Sequence, residues 1–387
     1  MIEKILINSI DSLKNIAFDL NKYLFEHPEI SGKEFNSSKK IVTLLRDNGI
    51  NVEENFCNMP TAFFGSVVKK ENSNINIGIL TEYDALPGVG HACGHSASCA
   101  ISVLSALCIK ANEDKIDANI DIIGTPDEEV GGGKIYMAEK GVFDKYDYVI
   151  MVHLFNKNYP NWKMLAMETY DVKFKGTPAH AAASPWEGRS ALDGLMLFIH
   201  AMDMMRKSVK PNTIVEGYIT NGGEAINIIP EEACGTYGFR STSIKYIKDT
   251  LVPWMRDILN GCAMATQTKA EMTLSGKVYM DIKYNKTGTQ VISNVMKKYG
   301  MENSEIEKAA ASSDIGNVSY RCPAFHPSVA ITYDNVSLHS KEFAELVGSK
   351  AAENAIINGA KTILGFIGTT LDDTSIIEDI KREFESN

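Results

Sequence analysis

The sequence contains no apolar run approaching the roughly 18 residues that a bilayer-crossing helix needs, so a membrane-spanning protein is not expected. Its first twenty residues, MIEKILINSIDSLKNIAFDL, break their apolar pattern with Glu3, Lys4, Asp11 and Lys14. That pattern reads as an amphipathic helix rather than a secretory leader, and a cytoplasmic location follows as the expectation. Runs of lysine and arginine are also missing. With a formal net charge of −10, the chain has no stripe that would track phosphates, which argues against nucleic acid as a partner. Internal repeats and low-complexity tracts are absent. Cysteine is scarce and odd in number, seven in all, which reads as free thiols or ligands rather than a disulfide framework. Cys99, Cys108, Cys234 and Cys262 lie in apolar or helical contexts and read as small buried hydrophobes. Cys93 differs.

What is present is an ordinary globular mixture, 44% hydrophobic and 23% charged, over 387 residues. That length points to two domains. SGKEF at 31–35 has the spacing of a capping box, Ser31 with Glu34, ahead of a helix with Phe35, Ile41, Val42 and Leu45 on its apolar face. INIGIL (75–80), NIDIIG (119–124) and YDYVIMV (146–152) are short β-branched runs separated by helical stretches such as 96–111. The alternation predicts an α/β fold with a mainly parallel sheet covered on both faces. In such sheets ligands bind beyond the carboxyl ends of the strands. The three runs lead into TEYD, TPDEEVGGG and HLF, where the ionisable residues collect. From 169 to 280 the order strand, helix, strand, strand, helix, strand predicts an inserted α+β unit with an antiparallel sheet. The first domain is then discontinuous, 1–168 plus 281–387.

The densest chemistry lies in TEYDALPGVGHACGHSASCA, residues 81–100. It could be a metal site, a redox pair or a turn. His91 and His95 have the spacing of a helical zinc pair, but Gly90, Gly94 and the nearby Pro87 disfavour a helix across them. Cys93 and His95 alternate, so in an extended turn a thiolate and an imidazole can face one site. Asp127, Glu128 and Glu129 form a row of carboxylates that repel unless cations or solvent compensate them. His153 ends a third strand, and His339 follows a further strand and loop. Each has a bland reading alone; together they surround one crevice.

EYDALPGVGHACGH, TPDEEVGGG, GTPAHAAASPWEGRSALDG, INIIPEEACGTYGFR and SSDIGNVS, in this order over about residues 20 to 345, resemble the metal-dependent amidohydrolases related to aminoacylase, hippurate hydrolase, aminobenzoyl-glutamate hydrolase and the auxin-conjugate hydrolases of plants. The resemblance implies a metallohydrolase catalytic domain with an inserted dimerisation or lid domain, and two divalent metal ions per subunit. Zinc is the expected ion, with manganese, cobalt or nickel as alternatives. By the same resemblance Cys93, His95, Glu129, His153 and His339 match the metal ligands and Glu128 the general base. Asp84 matches a carboxylate that orients a ligand. His180 matches a histidine that reaches a partner's active site and stabilises the oxyanion, and His180, Asn227 and Arg240 match the groups that bind substrate.

A set of thiolate, imidazole and carboxylate suits zinc or another borderline ion. The chain departs from the family's pattern at Ser96, where many relatives carry Asp or Asn, which predicts a contact to His95 that is weakened or mediated by water. Glu82 receives no role. The expected function is hydrolysis of the amide bond of a small N-acyl amino acid or dipeptide-like substrate by metal-activated water, in a homodimer or higher homo-oligomer. A peptidase acting on short peptides and a catalytically silent metal-binding relative are the competing readings.

Overall fold

The β-branched runs form the central sheet because each alternates residues between two apolar faces. Ile77 and Ile79 enter one buried cluster while Leu80 enters another; Ile120, Ile122 and Ile123 divide in the same way. In the computed structural model, which describes residues 1–305, 309 and 311–386, two units are distinguished. The first comprises Met1–Lys163, Ile282–Glu307 and Asp314–Asn387; the second comprises Met164–Asp281 and Lys308–Ser313.

In the first unit, strands β1 (Asn51–Glu54), β2 (Phe63–Val68), β3 (Asn76–Thr81), β4 (Asn119–Gly124), β5 (Tyr148–Ile150) and β11 (Ala324–Phe325) form a sheet in the order β1-β2-β4-β3-β5-β11. The β4-β3-β5-β11 portion is parallel, and β1 and β2 are antiparallel additions at one edge. A short parallel pair, β6 (His153–Phe155) and β12 (Ser328–Ala330), continues the β5–β11 pairing beyond a break, with the Met151 N–H bonded to Phe325 O at 3.1 Å and the His153 N–H to Pro327 O at 3.0 Å.

One face is covered through α3 (His95–Lys110), which is buried along almost its entire length and whose buried residues beyond His95 are apolar apart from its small serines. α1 (Ile2–Glu26) and α11 (Lys350–Asp372) pack against α3 and each other. α1 has the amphipathic character expected of it, burying Leu6, Ile10, Leu20 and Leu24. On the other face α4 (Gly133–Glu139) meets α9 (Ile315–Val318). Burying each such aliphatic side chain contributes about 1.5–3 kcal/mol. α8 (Lys286–Lys298), α10 (Lys341–Val347) and α12 (Ser375–Ser386) complete this unit. Among the described residues no helix is long and apolar enough to cross a membrane.

One local expectation is overturned. SGKEF does not cap α2 (Phe35–Asp47): Glu34 stands at the N-cap without a capping side-chain bond, and Phe35 is exposed while Ile41, Val42 and Leu45 are buried. Ser31 Oγ instead donates to Asp84 at 2.7 Å. Glu34 accepts from the Gly32 N–H (2.7 Å), the Asp127 N–H (2.9 Å) and the Thr61 hydroxyl (2.9 Å). Donors converging from three loops outcompete the single donor that a helix end offers.

The second unit has strands β7 (Ala166–Lys175), β8 (Ile214–Asn221), β9 (Glu232–Ser241) and β10 (Lys269–Leu274), all antiparallel in the order β10-β7-β9-β8. Helix α5 (Ala191–Met205) precedes β8. A second helical run opens as α6 (Ile244–Tyr246), passes through a wider π turn and continues as α7 (Val252–Thr266). Phe174, Phe198, Phe239, Met255 and Leu259 form its core.

Candidate metal centre and active site

The topology explains why distant motifs meet. β4, β3 and β5 are adjacent and parallel, so their carboxyl ends open at one edge of the sheet. Asp84 follows β3, Glu128 and Glu129 follow β4, and His153 opens β6 just beyond β5. Cys93 lies in a turn and His95 is the first residue of α3, after Gly94 at φ +92°. That conformation favours glycine, and it settles the local geometry as a turn feeding a helix rather than a helix spanning both histidines. His339 also has positive φ, +65°; its N–H is anchored to Ala92 O at 2.9 Å. For a residue with a side chain this conformation is strained and must be held by its surroundings.

Three sets of candidate donor atoms each lie within 4.8 Å of one another: Cys93, His95 and His153; Cys93, Glu129 and His339; His95, Glu128 and Glu129. All five residues matched to metal ligands are therefore brought together. Cys93 Sγ is 3.3 Å from His153 Nε2, and Glu129 Oε1 is 3.8 Å from His339 Nε2. The ring orientations suit a cation. His95 Nδ1 donates to Asp84 Oδ1 at 3.0 Å, and His153 Nδ1 donates to Leu154 O at 2.7 Å. Each Nε2 is thereby turned toward the cluster, the usual way an outer partner orients a metal-binding imidazole. Asp84 does more than orient one ring, since its Oδ2 accepts from the Ser31 hydroxyl and from the Glu129 N–H at 3.0 Å.

The residues fit a metal on two further observations. Among the described residues His95 Nε2 and Glu129 Oε1 are buried without a hydrogen-bond partner, an arrangement that costs free energy unless something binds there. Burial alone would lower the pKa of His95, yet Cys93, Glu82 and Asp84 hold it well above the ordinary imidazole value; the pocket attracts positive charge. Burial, assisted by His95, lowers His153 to about 4 and keeps it neutral, as a ligand must be. Burial pushes the Cys93 thiol upward. Burial and the neighbouring Glu82 and Asp314 carboxylates push Glu128 well above the usual carboxylate range, against the opposing pull of Lys134 and His95.

Lys134, Asp314 and His326 were not singled out from the sequence. Lys134 is fully buried, with its ammonium 2.5 Å from both Glu82 Oε1 and Asp314 Oδ1. Burial alone would raise Glu82, but Lys134 and the nearby histidines bring it down to about 2. Asp314 is pushed up by burial to about 6. His326 is buried with both ring nitrogens unpartnered, edge-on to His153 at 5.6 Å between ring centres. Ser96 is buried and its hydroxyl has no hydrogen-bond partner, so His95 is oriented by Asp84 alone. The GGG segment is not slack. Gly131 N–H donates to Asp127 Oδ1 at 2.9 Å, and a Cβ on Gly131 would stand 1.8 Å from Asp127 Oδ2.

His180, Asn227 and Arg240 belong to the second unit. The Ala181 N–H donates to Asn227 O at 2.9 Å, which ties the loops carrying His180 and Asn227 together. His180 is exposed, and its Nδ1 accepts from the Ala182 and Ala183 N–H groups at 3.2 and 3.1 Å. That leaves Nε2–H as an outward donor. Arg240 already has partners: Nε donates to Glu216 at 2.8 Å and Nη1 to Ser312 Oγ at 3.1 Å.

A sheet-edge cluster of thiol, imidazole and carboxylate donors beside a raised carboxyl defines the class, a metallohydrolase. Residues 78–367 match the family described as Peptidase family M20/M25/M40, and the chain belongs to it. It is a metal-dependent amidohydrolase. The Xaa-Arg dipeptidase of Mus musculus is 33% identical over 339 residues, covering 84% of this chain and 78% of that protein. A p-aminobenzoyl-glutamate hydrolase polypeptide of Escherichia coli (strain K12) is 24% identical, covering 98% of this chain and 94% of the relative. Among solved structures, a chain from methicillin-resistant Staphylococcus aureus gives a TM-score of 0.84 at 19% identity, covering 95% of this chain and all of that one. A Bacillus subtilis dinuclear metal-binding peptidase of the M20 family gives 0.76 at 17% identity, covering 94% and 99%. These two establish likeness of fold.

Proposed function

We propose that the chain hydrolyses the amide bond of a small N-acyl amino acid or dipeptide-like substrate at a two-metal centre held by Cys93, His95, Glu129, His153 and His339. The observation that carries the reading is the convergence of these donors, two of them buried and unpartnered, at the carboxyl ends of parallel strands. Zinc is the expected ion, with manganese, cobalt or nickel able to serve the same donor set. When bound, divalent cations polarise the scissile carbonyl and lower the pKa of water to about 7.

The protein's own groups do the rest. Glu128 takes the proton from the attacking water and delivers it to the leaving amine, a role suited by its raised carboxyl. Asp84 holds the His95 ring with one oxygen and the Glu129 backbone with the other. Within a dimer, His180 offers Nε2–H to the developing oxyanion of the partner's substrate. Asn227 and Arg240 bind the substrate carboxylate, for which Arg240 must share or release Glu216.

Dimerisation is supported by the second unit's surface. β8 is an edge strand with Ile214, Tyr218 and Ile219 exposed, and α5 exposes Met196, Leu197 and Met204. An unpaired edge beside apolar side chains is a surface that proteins cover. We place the enzyme in the cytoplasm, consistent with its free cysteines. A second reading, a dipeptidase selecting a C-terminal basic residue, is favoured by the 33% identity to an Xaa-Arg dipeptidase.

The test is release of free amine from metal-loaded protein across N-acyl amino acids and dipeptides, including Xaa-Arg. Turnover of the acyl series supports the first reading, and turnover confined to dipeptides the second. Silence across both with bound metal verified would reject hydrolysis.

A further inference from the structure

We propose that Glu82 is a further protein ligand of the metal centre, supplying Oε2 to the ion on His95, and that Lys134 is the positioning residue that aims it. The proposal rests on the reading of His95 and its neighbours as metal donors.

Separation is the first argument. Glu82 Oε2 lies 3.5 Å from His95 Nε2, longer than the usual 2.9–3.0 Å of an N–H···O bond. His95 Nε2 is buried and has no hydrogen-bond partner among the described residues. Two oxygen or nitrogen donors at 2.0–2.2 Å from one tetrahedral zinc stand about 3.3–3.6 Å apart. The Glu82–His95 pair falls in that interval. Because His95 Nδ1 is occupied by Asp84, Nε2 is the nitrogen left for a cation.

Orientation is the second. The Glu82 carboxylate cannot turn freely, since Oε1 is held 2.5 Å from Lys134 Nζ. Lys134 is itself fixed at two points by Asp314: its ammonium meets Oδ1 at 2.5 Å and its backbone N–H donates to Oδ2 at 2.9 Å. With one oxygen clamped, the other faces His95.

Charge is the third. Lys134 supplies one positive charge to two carboxylates, Glu82 and Asp314, which lie with Glu128 inside a cluster whose candidate donor atoms are all within 4.8 Å. Buried carboxylates of this kind are stable only when compensated. A divalent cation at Glu82 Oε2 provides the missing charge where Lys134 cannot reach. A carboxylate is also an ordinary partner for the ions considered, and a harder one than the Cys93 thiolate.

The experiment loads wild type, Glu82→Gln, Lys134→Met and His95→Ala with Co²⁺, measuring bound metal per chain by mass spectrometry, affinity by titration, and the d–d absorption bands of the bound ion. We expect Glu82→Gln to lose about tenfold or more in affinity for one ion, of the order that perturbed metal shells show, and to shift the d–d bands. Lys134→Met should retain stoichiometry, because the carboxylate survives. With that carboxylate no longer aimed, Lys134→Met should nonetheless shift the d–d bands, and a wild-type spectrum in Lys134→Met overturns the aiming role. Wild-type affinity and spectrum in Glu82→Gln overturn the proposal, and if wild type then loses metal only through His95→Ala, the metal-centre reading stands. No Co²⁺ bound by wild type overturns both. Should Glu82→Gln fail to fold, Glu82→Asp keeps the charge for Lys134 but withdraws the donor; an unchanged spectrum there rejects ligation.

Discussion

Replacing Glu34 with glutamine tests whether the loop network beneath the site is held by a neutral carboxyl. Glu34 has no exposed surface, and burial, with the Asp84 charge adding to it, raises its pKa from 4.5 to about 7 despite bonds from Gly32 and Thr61. The folded state therefore binds this proton more tightly than the unfolded chain. The stability it contributes is fully present below pH 4.5 and is lost as pH rises through about 7. A displacement of that size corresponds to about 3 kcal/mol.

Glutamine matches the protonated acid in shape. Its carbonyl can accept from Gly32 and Asp127, and its amide can face the Thr61 hydroxyl, yet it cannot ionise. Glu34→Gln should exceed wild type by only about 1 kcal/mol near pH 5 and by about 3 kcal/mol at pH 8. The assay is urea unfolding of both proteins from pH 5 to 8 with metal chelated, so that metal linkage is removed and other titrating groups cancel in the difference. A difference that stays flat across that range would refute the reasoning.

Three further outcomes are expected. Glu128→Gln should keep its metal and lose about 10²–10⁴-fold in kcat; near-wild-type turnover would remove Glu128 from proton transfer. Cys93→Ala and His153→Ala should each lower bound metal per chain, checked by mass spectrometry after dialysis, and unchanged content in both would take the pair out of the centre. Mixing inactive His180→Ala with inactive Glu128→Gln should restore part of the activity through hybrid dimers, because one site then carries both native residues; no recovery with hybrids demonstrated would reject action across subunits.

The parallel sheet was legible because its strands are short β-branched runs, and the candidate ligands could be proposed because they follow those runs and match long motifs. What was illegible depended on distant partners. Lys134, after three glycines, was not singled out from the sequence; its burial needs Glu82 and Asp314, 52 and 180 residues away. Ser31 and Glu34 fit a local capping motif, but Asp84, Thr61 and Asp127 supplied stronger bonds than the helix end. The Glu216 partner of Arg240 was not legible, because it comes from β8, 24 residues earlier and across the β8–β9 ladder.

The discontinuity of the first unit has a consequence for synthesis. Cys93, His95, Glu129 and His153 leave the ribosome before the inserted segment, whereas Asp314 and His339 follow it. At ordinary elongation rates the interval between His153 and His339 is on the order of 10–40 s. Through that interval the nascent chain carries a thiol, two imidazoles and several carboxylates without the residues that close the set. If these residues hold metal as proposed, Cys93 and the two imidazoles emerge as a partial donor set before His339 follows, and the order of translation bears on which ion that set meets first.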